Sequence, residues 1–185
     1  MYKIIKNSMS EYSIIKCNYD DHAHSILNIY NDVILTSTAI FDYKARPLES
    51  MAKWFQTKQL NNFPVIEVEN EDGQLMAVGT FGTFRDWPAY KYTVEHSVAV
   101  HKDFQGIGLG KKIVLELIQE AKDREMHAII GGIEVTNTAS IKLHLNLGFE
   151  LVGTLPQVGY KFGNWLDLAL YQLNLKTPLK LRRLG

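Results

Sequence analysis

The run Gln105-Gly-Ile-Gly-Leu-Gly110 lies between an apolar strand pattern ending at Val100 and a helical pattern beginning near Gly108. Glycines let main-chain N–H groups approach a ligand, and a helix N-terminus adds partial positive charge. Strand, glycine turn and helix start therefore make an anion site, and a diphosphate fits it. Such a turn also opens dinucleotide folds, and Glu134 follows the next strand much as a ribose-binding acid would. Spacing argues against that reading. A G-x-G-x-x-G fingerprint from Gly106 needs glycine where Lys111 stands, and five residues separate Val100 from Gly106. A phosphate-binding G-K-[ST] signature fails at Lys112, where a hydroxyl residue would hold magnesium.

Around this run the chain alternates between strand and helix periodicity. Tyr12 to Cys17 reads as a strand, and Asp20-Asp21 as the cap of a helix carrying Ile26, Leu27, Ile29, Tyr30, Val33 and Ile34. Pro47 opens a second helix that Asn61-Asn62 closes. Strands follow over 64–69, 74–84 and 93–100, with Asp72-Gly73 as a hairpin signal between the first two. Arg85 to Tyr90 interrupts the pattern as a loop. After the glycine helix come a strand over 128–133, a helix capped by Asn137 and ended by Gly148, and strands over 150–158 and 166–175. The expected fold is α/β: a mixed, mostly antiparallel sheet flanked by helices. Residues 1–11 read as a leader of uncertain order, 12–175 as one domain and 176–185 as a basic tail.

The chain has 185 residues, 46% hydrophobic and 22% charged, which suits one globular domain. Twenty basic residues balance twenty acidic ones, so the total charge points to neither nucleic acid nor an anionic membrane as partner. No apolar run approaches the roughly 20 residues of a spanning helix, and the N-terminus lacks a signal pattern, so a cytoplasmic location is expected. Cys17 is the one cysteine and reads as a core thiol. Glu95, His96 and His101 do not read as a metal cluster. Adjacent strand residues face opposite ways, and no spaced Cys or His set is present, so no metal is expected.

The stretch Val98-Ala-Val-His-Lys-Asp-Phe-Gln-Gly-Ile-Gly-Leu-Gly110 resembles the acetyl-coenzyme A motif of the GCN5-related N-acetyltransferase superfamily, [Q/R]-x-x-G-x-[G/A], with Gln105, Gly108 and Gly110 at its fixed positions. Asn137 to Phe149 resembles the second superfamily motif. Asn28 to Asn31, Thr38 to Phe41, Tyr90 to Val98 and Val158 to Asp167 are similar to the phosphinothricin and methionine sulfoximine acetyltransferases. This resemblance spans residues 13 to 174. It implies acetyl-coenzyme A as co-substrate, held by Val98, Ala99, Val100, the loop of Gln105, Gly106, Ile107, Gly108, Leu109, Gly110 and Lys111, and Asn137 with Ser140. It also implies Glu95 as the catalytic base and a homodimer.

Asn137 and His144 sit two turns apart on one helix face. Many superfamily members carry tyrosine where His144 stands; histidine is usual in the narrower family and implies a role at the departing thiolate, with a packed helix histidine as the alternative. Phe41, Arg85, Pro88, Ala89, Tyr90 and Glu95 are candidates for the amine pocket, because Arg85 can pair a carboxylate and the aromatics can wall a short side chain. The expected acceptor is a small amino-acid-like amine of the phosphinothricin or methionine sulfoximine type. Another primary amine, a peptide N-terminus, or a non-catalytic cofactor sensor are the alternatives.

Overall fold

A computed structural model of the chain describes residues 3–5 and 12–177. Its elements are β1 (Lys3–Ile5), β2 (Tyr12–Lys16), α1 (Tyr19–Thr36), α2 (Glu49–Leu60), β3 (Val65–Asn70), β4 (Leu75–Thr83), β5 (Thr93–Val100), α3 (Leu109–Asp123), β6 (Ala128–Glu134), α4 (Thr138–Asn146), β7 (Glu150–Lys161) and β8 (Asn164–Asn174). The strands form one sheet in the order β1-β2-β3-β4-β5-β6-β8-β7, antiparallel throughout except where β5 meets β6. Three of the residues read as a leader, Lys3–Ile5, pair with β2. The rest of 1–11, and 178–185 of the tail, lie outside the described residues.

Two apolar clusters sandwich the sheet. On one face α1 and α2 set Ile26, Tyr30, Met51 and Phe55 against Val65, Val78 and Ala99. On the other, α3 sets Ile113, Val114 and Leu117 against Ile66, Val68, Phe81 and Ile129. The alternation of β3 produces this division, Val65 and Ile66 serving opposite layers.

The α1 cap falls on Asn18, whose Oδ1 accepts from Asp21 N at 2.9 Å. Asp20 and Asp21, read as the cap, instead occupy the first turn, where carboxylates complement the helix dipole. Helix α2 starts at Glu49, two residues past Pro47. The remaining boundaries fall close to the expected ones, but β7 runs on to Lys161 and β8 begins at Asn164. Cys17 lies just beyond β2 and is half-buried. Burial, and then the adjacent Glu67, pushes its thiol well above its ordinary pKa.

The contact between β5 and β6 positions the site. These strands pair in parallel only over Thr93–Ala128, Val94–Ile129 and Glu95–Ile130, and beyond Glu95 they part. The far half of β5 keeps β4 on one side and has an open edge on the other. His101 N donates to Met76 O of the β4 side at 2.9 Å. By strand alternation, Val98 and Val100 therefore turn their main-chain groups toward the opening, whereas Ala99 turns its own toward β4.

Candidate active site

Two cavities meet at the parting of β5 and β6. The first, about 660 Å³, runs from the open edge of β5 to the start of α3. Val98, Ala99, Val100, Gln105, Gly106, Gly108, Leu109, Gly110, Lys111, Asn137 and Ser140 all line it. Ile107 does not, and it is exposed. Gly106 and Gly108 adopt φ of +79° and +89°, the left-handed region that side chains disfavour. Gly108 is the cap of α3 and contributes no side chain, so the first N–H groups of the helix are left to a ligand. Gln105 reaches back with Nε2 to Val100 O, 3.5 Å away. Asn137 caps α4, Oδ1 accepting from Ser140 N at 3.1 Å.

The second cavity, about 420 Å³, lies on the α1 and α2 side of the same gap. Glu95 lines it, as do Tyr30, Arg46, Trp54, Lys58, Thr80 and Glu134. Val33, Ala39, Val98, Asn137, Ser140 and His144 line both cavities, so the two share a wall. Burial raises the pKa of Glu95 above its ordinary value, and the positive charge of Arg85 partly offsets this. A carboxyl so placed keeps more basicity than an exposed one when ionised, which suits proton abstraction.

Glu95 and His96 face opposite ways, as their adjacency requires. A Cβ at Gly132 would stand 3.0 Å from Glu95 Oε1, whereas one at Gly131 would stand 2.9 Å from His96 Nε2 and 3.2 Å from His144 Nε2. His96 is not idle, however. Its Nε2 lies 2.9 Å from His144 Nε2, and His144 Nδ1 lies 2.7 Å from Ser140 O. A carbonyl can only accept, so His144 carries its proton on Nδ1 and accepts at Nε2 from His96 Nε2–H. His96 Nδ1 is then an unprotonated, buried nitrogen with no hydrogen-bond partner among the described residues. Burial, and then His144, pushes His96 down to about 3. Burial also lowers His144, with the Ser140 carbonyl opposing. Both rings are neutral near pH 7.

The other residues read as an amine pocket stand outside the cavity that holds Glu95, although Arg85 is near enough for its charge to act on Glu95. Phe41 packs on β7, where a Cβ at Gly159 would stand 2.5 Å from its ring. Arg85 is exposed, stacks over Phe84 at 4.4 Å, and donates Nη1 to Phe84 O at 3.0 Å. Pro88, Ala89 and Tyr90 form an exposed single turn, and the Tyr90 ring meets Phe84 edge-on. None of these five lines the cavity beside Glu95.

Two side chains that the sequence did not assign to this site shape its rim. Glu134, 4% exposed, accepts from Thr38 Oγ1 at 3.0 Å, from Thr136 N at 3.1 Å and from the Thr136 hydroxyl. Lys161, 2% exposed, donates to Ile34 O (2.6 Å), Ser37 O (2.8 Å) and Ile40 O (2.6 Å). Together they fix the segment after α1, whose Ala39 and Ile40 line the cavity.

The model of the acetyltransferase (GNAT) family matches residues 24–149. The chain belongs to that family. It is 42% identical over 151 residues to an L-methionine sulfoximine/L-methionine sulfone acetyltransferase of Salmonella typhimurium, covering 82% of this chain and 88% of the relative. A putative acetyltransferase from Acinetobacter baylyi superposes with a TM-score of 0.93 at 52% identity, covering 96% of this chain and 99% of the other. A phosphinothricin acetyltransferase from Sinorhizobium meliloti, solved in complex with acetyl-coenzyme A, superposes with a TM-score of 0.88 at 28% identity, each chain covered to 94%. This N-acetyltransferase thus has the fold of its family, with the opening between β5 and β6 at its centre.

Proposed function

We propose that this acetyltransferase moves the acetyl group of acetyl-coenzyme A directly to the amino group of a small amino acid analogue of the methionine sulfoximine or phosphinothricin type, with Glu95 as general base. The observation that carries the reading is the shared wall: a cavity of about 660 Å³ built on a helix start and an open strand edge abuts one of about 420 Å³ that holds a half-buried carboxyl.

The residues fit a diphosphate-bearing thioester. The uncapped N-terminus of α3 offers N–H groups to the diphosphate, and Val98 and Val100 offer main-chain groups to an extended amide-bearing arm. An acceptor amine entering past Tyr30 and Trp54 meets Glu95, which takes its proton. The free amine then forms the C–N bond, the C–S bond breaks with the sulfur leaving as thiolate, and the proton shed by the new amide nitrogen passes to that thiolate. Val98 N–H faces the carbonyl oxygen as charge builds there. His144 lines the wall that both cavities share, with its Nδ1–H held by Ser140 O and its Nε2 accepting from His96, so it shapes the passage and has no N–H left for the thiolate.

The methionine sulfoximine acetyltransferase at 42% identity and the size of the acceptor cavity support a small substrate. The exposed apolar side chains of edge strand β7, Leu151, Val152, Leu155 and Val158, support a homodimer. The test is release of free thiol from acetyl-coenzyme A with methionine sulfoximine, phosphinothricin or a peptide as acceptor. Turnover of the two amino acid analogues is expected. Turnover of the peptide alone overturns the small-acceptor reading, and cofactor binding with no turnover at all overturns catalysis.

A further inference from the structure

Away from both cavities, three potential metal ligands converge between α1 and β3. Glu67 is 0% exposed, on the face of β3 that packs against α1, and neither carboxylate oxygen has a hydrogen-bond partner among the described residues. A buried carboxyl without a partner is costly, so it calls for a counter-group. His22 Nε2 lies 3.1 Å from Glu67 Oε1, near enough for an ion pair but without hydrogen-bond geometry. Glu69, two residues along the same face, brings a second carboxylate, and one ligand atom from each of the three lies within 4.8 Å of the others.

We propose that His22, Glu67 and Glu69 bind a divalent first-row transition ion, zinc by preference, which ties α1 to β3. One imidazole and two carboxylates form a set that such ions accept, whereas calcium and magnesium favour all-oxygen shells. The outer contact suits the role as well. His22 Nδ1 lies 3.2 Å from Asn18 O, and donation to that carbonyl leaves the Nε2 lone pair aimed at the carboxylates. In the metal-free tautomer the same Nδ1 accepts from Asn18 N at 3.1 Å, so binding exchanges one main-chain partner for the other.

The other titratable group beside Glu67 is Cys17, and no cation but His22 pairs with it among the described residues. The site plays no part in acetyl transfer. Glu67 pairs in register with Val78, whereas Glu95 pairs with Gly82 further along β4, and none of the three ligands lines either cavity. Its effect is to hold α1, which carries Tyr30 and Val33 to the acceptor cavity.

The test uses the whole chain stripped with chelator, titrated with zinc chloride by calorimetry and followed in parallel by thermal melting, with calcium chloride as control. One zinc per chain, a raised melting temperature and no response to calcium are expected. His22→Gln, Glu67→Gln and Glu69→Gln should each weaken zinc binding on the order of tenfold or more, with His24→Gln unchanged. If Glu67→Gln does not fold, the half-buried His22 and Glu69 variants decide the matter. Absence of zinc binding, or equal binding in the His22→Gln and Glu69→Gln proteins, overturns the proposal.

Discussion

Replacing Lys161 by methionine removes an ammonium that three main-chain carbonyls share, those of Ile34, Ser37 and Ile40. Methionine keeps the apolar stem, so the change isolates the charged head. A hydrogen bond to a charged donor contributes about 1.5–3 kcal/mol net, and acceptors left without a partner in a buried site cost more still. Some of the loss returns as water reaches the Ser37 and Ile40 carbonyls, which lie in a loop. The expected destabilisation is about 3–5 kcal/mol, the range found when one side of a buried charged network is removed. For a chain of this size that lowers the melting temperature by roughly 10 °C. Because the segment held by Lys161 carries Ala39 and Ile40 to the cavity wall, acceptor KM should rise on the order of tenfold. Lys161→Arg should not restore either quantity, since a planar guanidinium cannot point at three converging carbonyls as an ammonium does. Chemical denaturation, thermal melting and steady-state kinetics check this. A Met variant melting within about two degrees of the parent, or an arginine variant that behaves as the parent, would show that the carbonyls are satisfied otherwise.

Three further outcomes are expected. His96 is held neutral, its pKa depressed from 6.5 to about 3, so it contributes stability that is present above pH 6.5 and is lost as pH falls toward 3. In acid titrations followed by circular dichroism, His96→Gln should flatten that limb, and an unchanged limb counts against the neutral pair. Gly132→Ala puts a methyl 3.0 Å from Glu95 Oε1 and 3.4 Å from Leu168 Cδ1, so kcat should fall about tenfold or more with little change in donor KM, measured by thiol release. Gly108→Ala forces a side chain into φ +89° with nothing within 4 Å to clash, so the cost is backbone strain of about 1 kcal/mol, read as a higher donor KM and a slightly lower melting temperature.

The cavity proposed for the donor was legible because its determinants are local. A glycine turn before a helix and an asparagine cap are features of a few adjacent residues, and β5 begins and ends where its pattern says, at Thr93 and Val100. The cavity proposed for the acceptor was not. Tyr30 and Trp54 belong to the apolar stripes of α1 and α2, and a residue lining a cavity obeys the same helical period as one in the core. His96 and His144 are partners only because β5 and α4 pack, which no spacing along the chain reveals. The same holds for Lys161 and its carbonyls, and for Glu134 and Thr38. Strand β7 outran its expected end at Val158 because Pro156 sits at the sheet edge, where the register shift between Leu155 and Gly159 absorbs it. Asn18, Asp20 and Asp21 are all good caps, and the helix starts after the first, whose extended backbone lets its side chain take the Asp21 N–H.

The role proposed for the half-buried Glu95 is read in the pH dependence of methionine sulfoximine acetylation by the parent chain and by Glu95→Gln. Activity of the parent should rise with pH along a limb placed above the ordinary carboxylate range, because burial raises the pKa of Glu95 and only the ionised form accepts the proton. Glu95→Gln should lose on the order of a hundredfold or more in kcat and lose that limb, with donor KM little changed. A glutamine variant that kept both the rate and the limb would rule out Glu95 as the base.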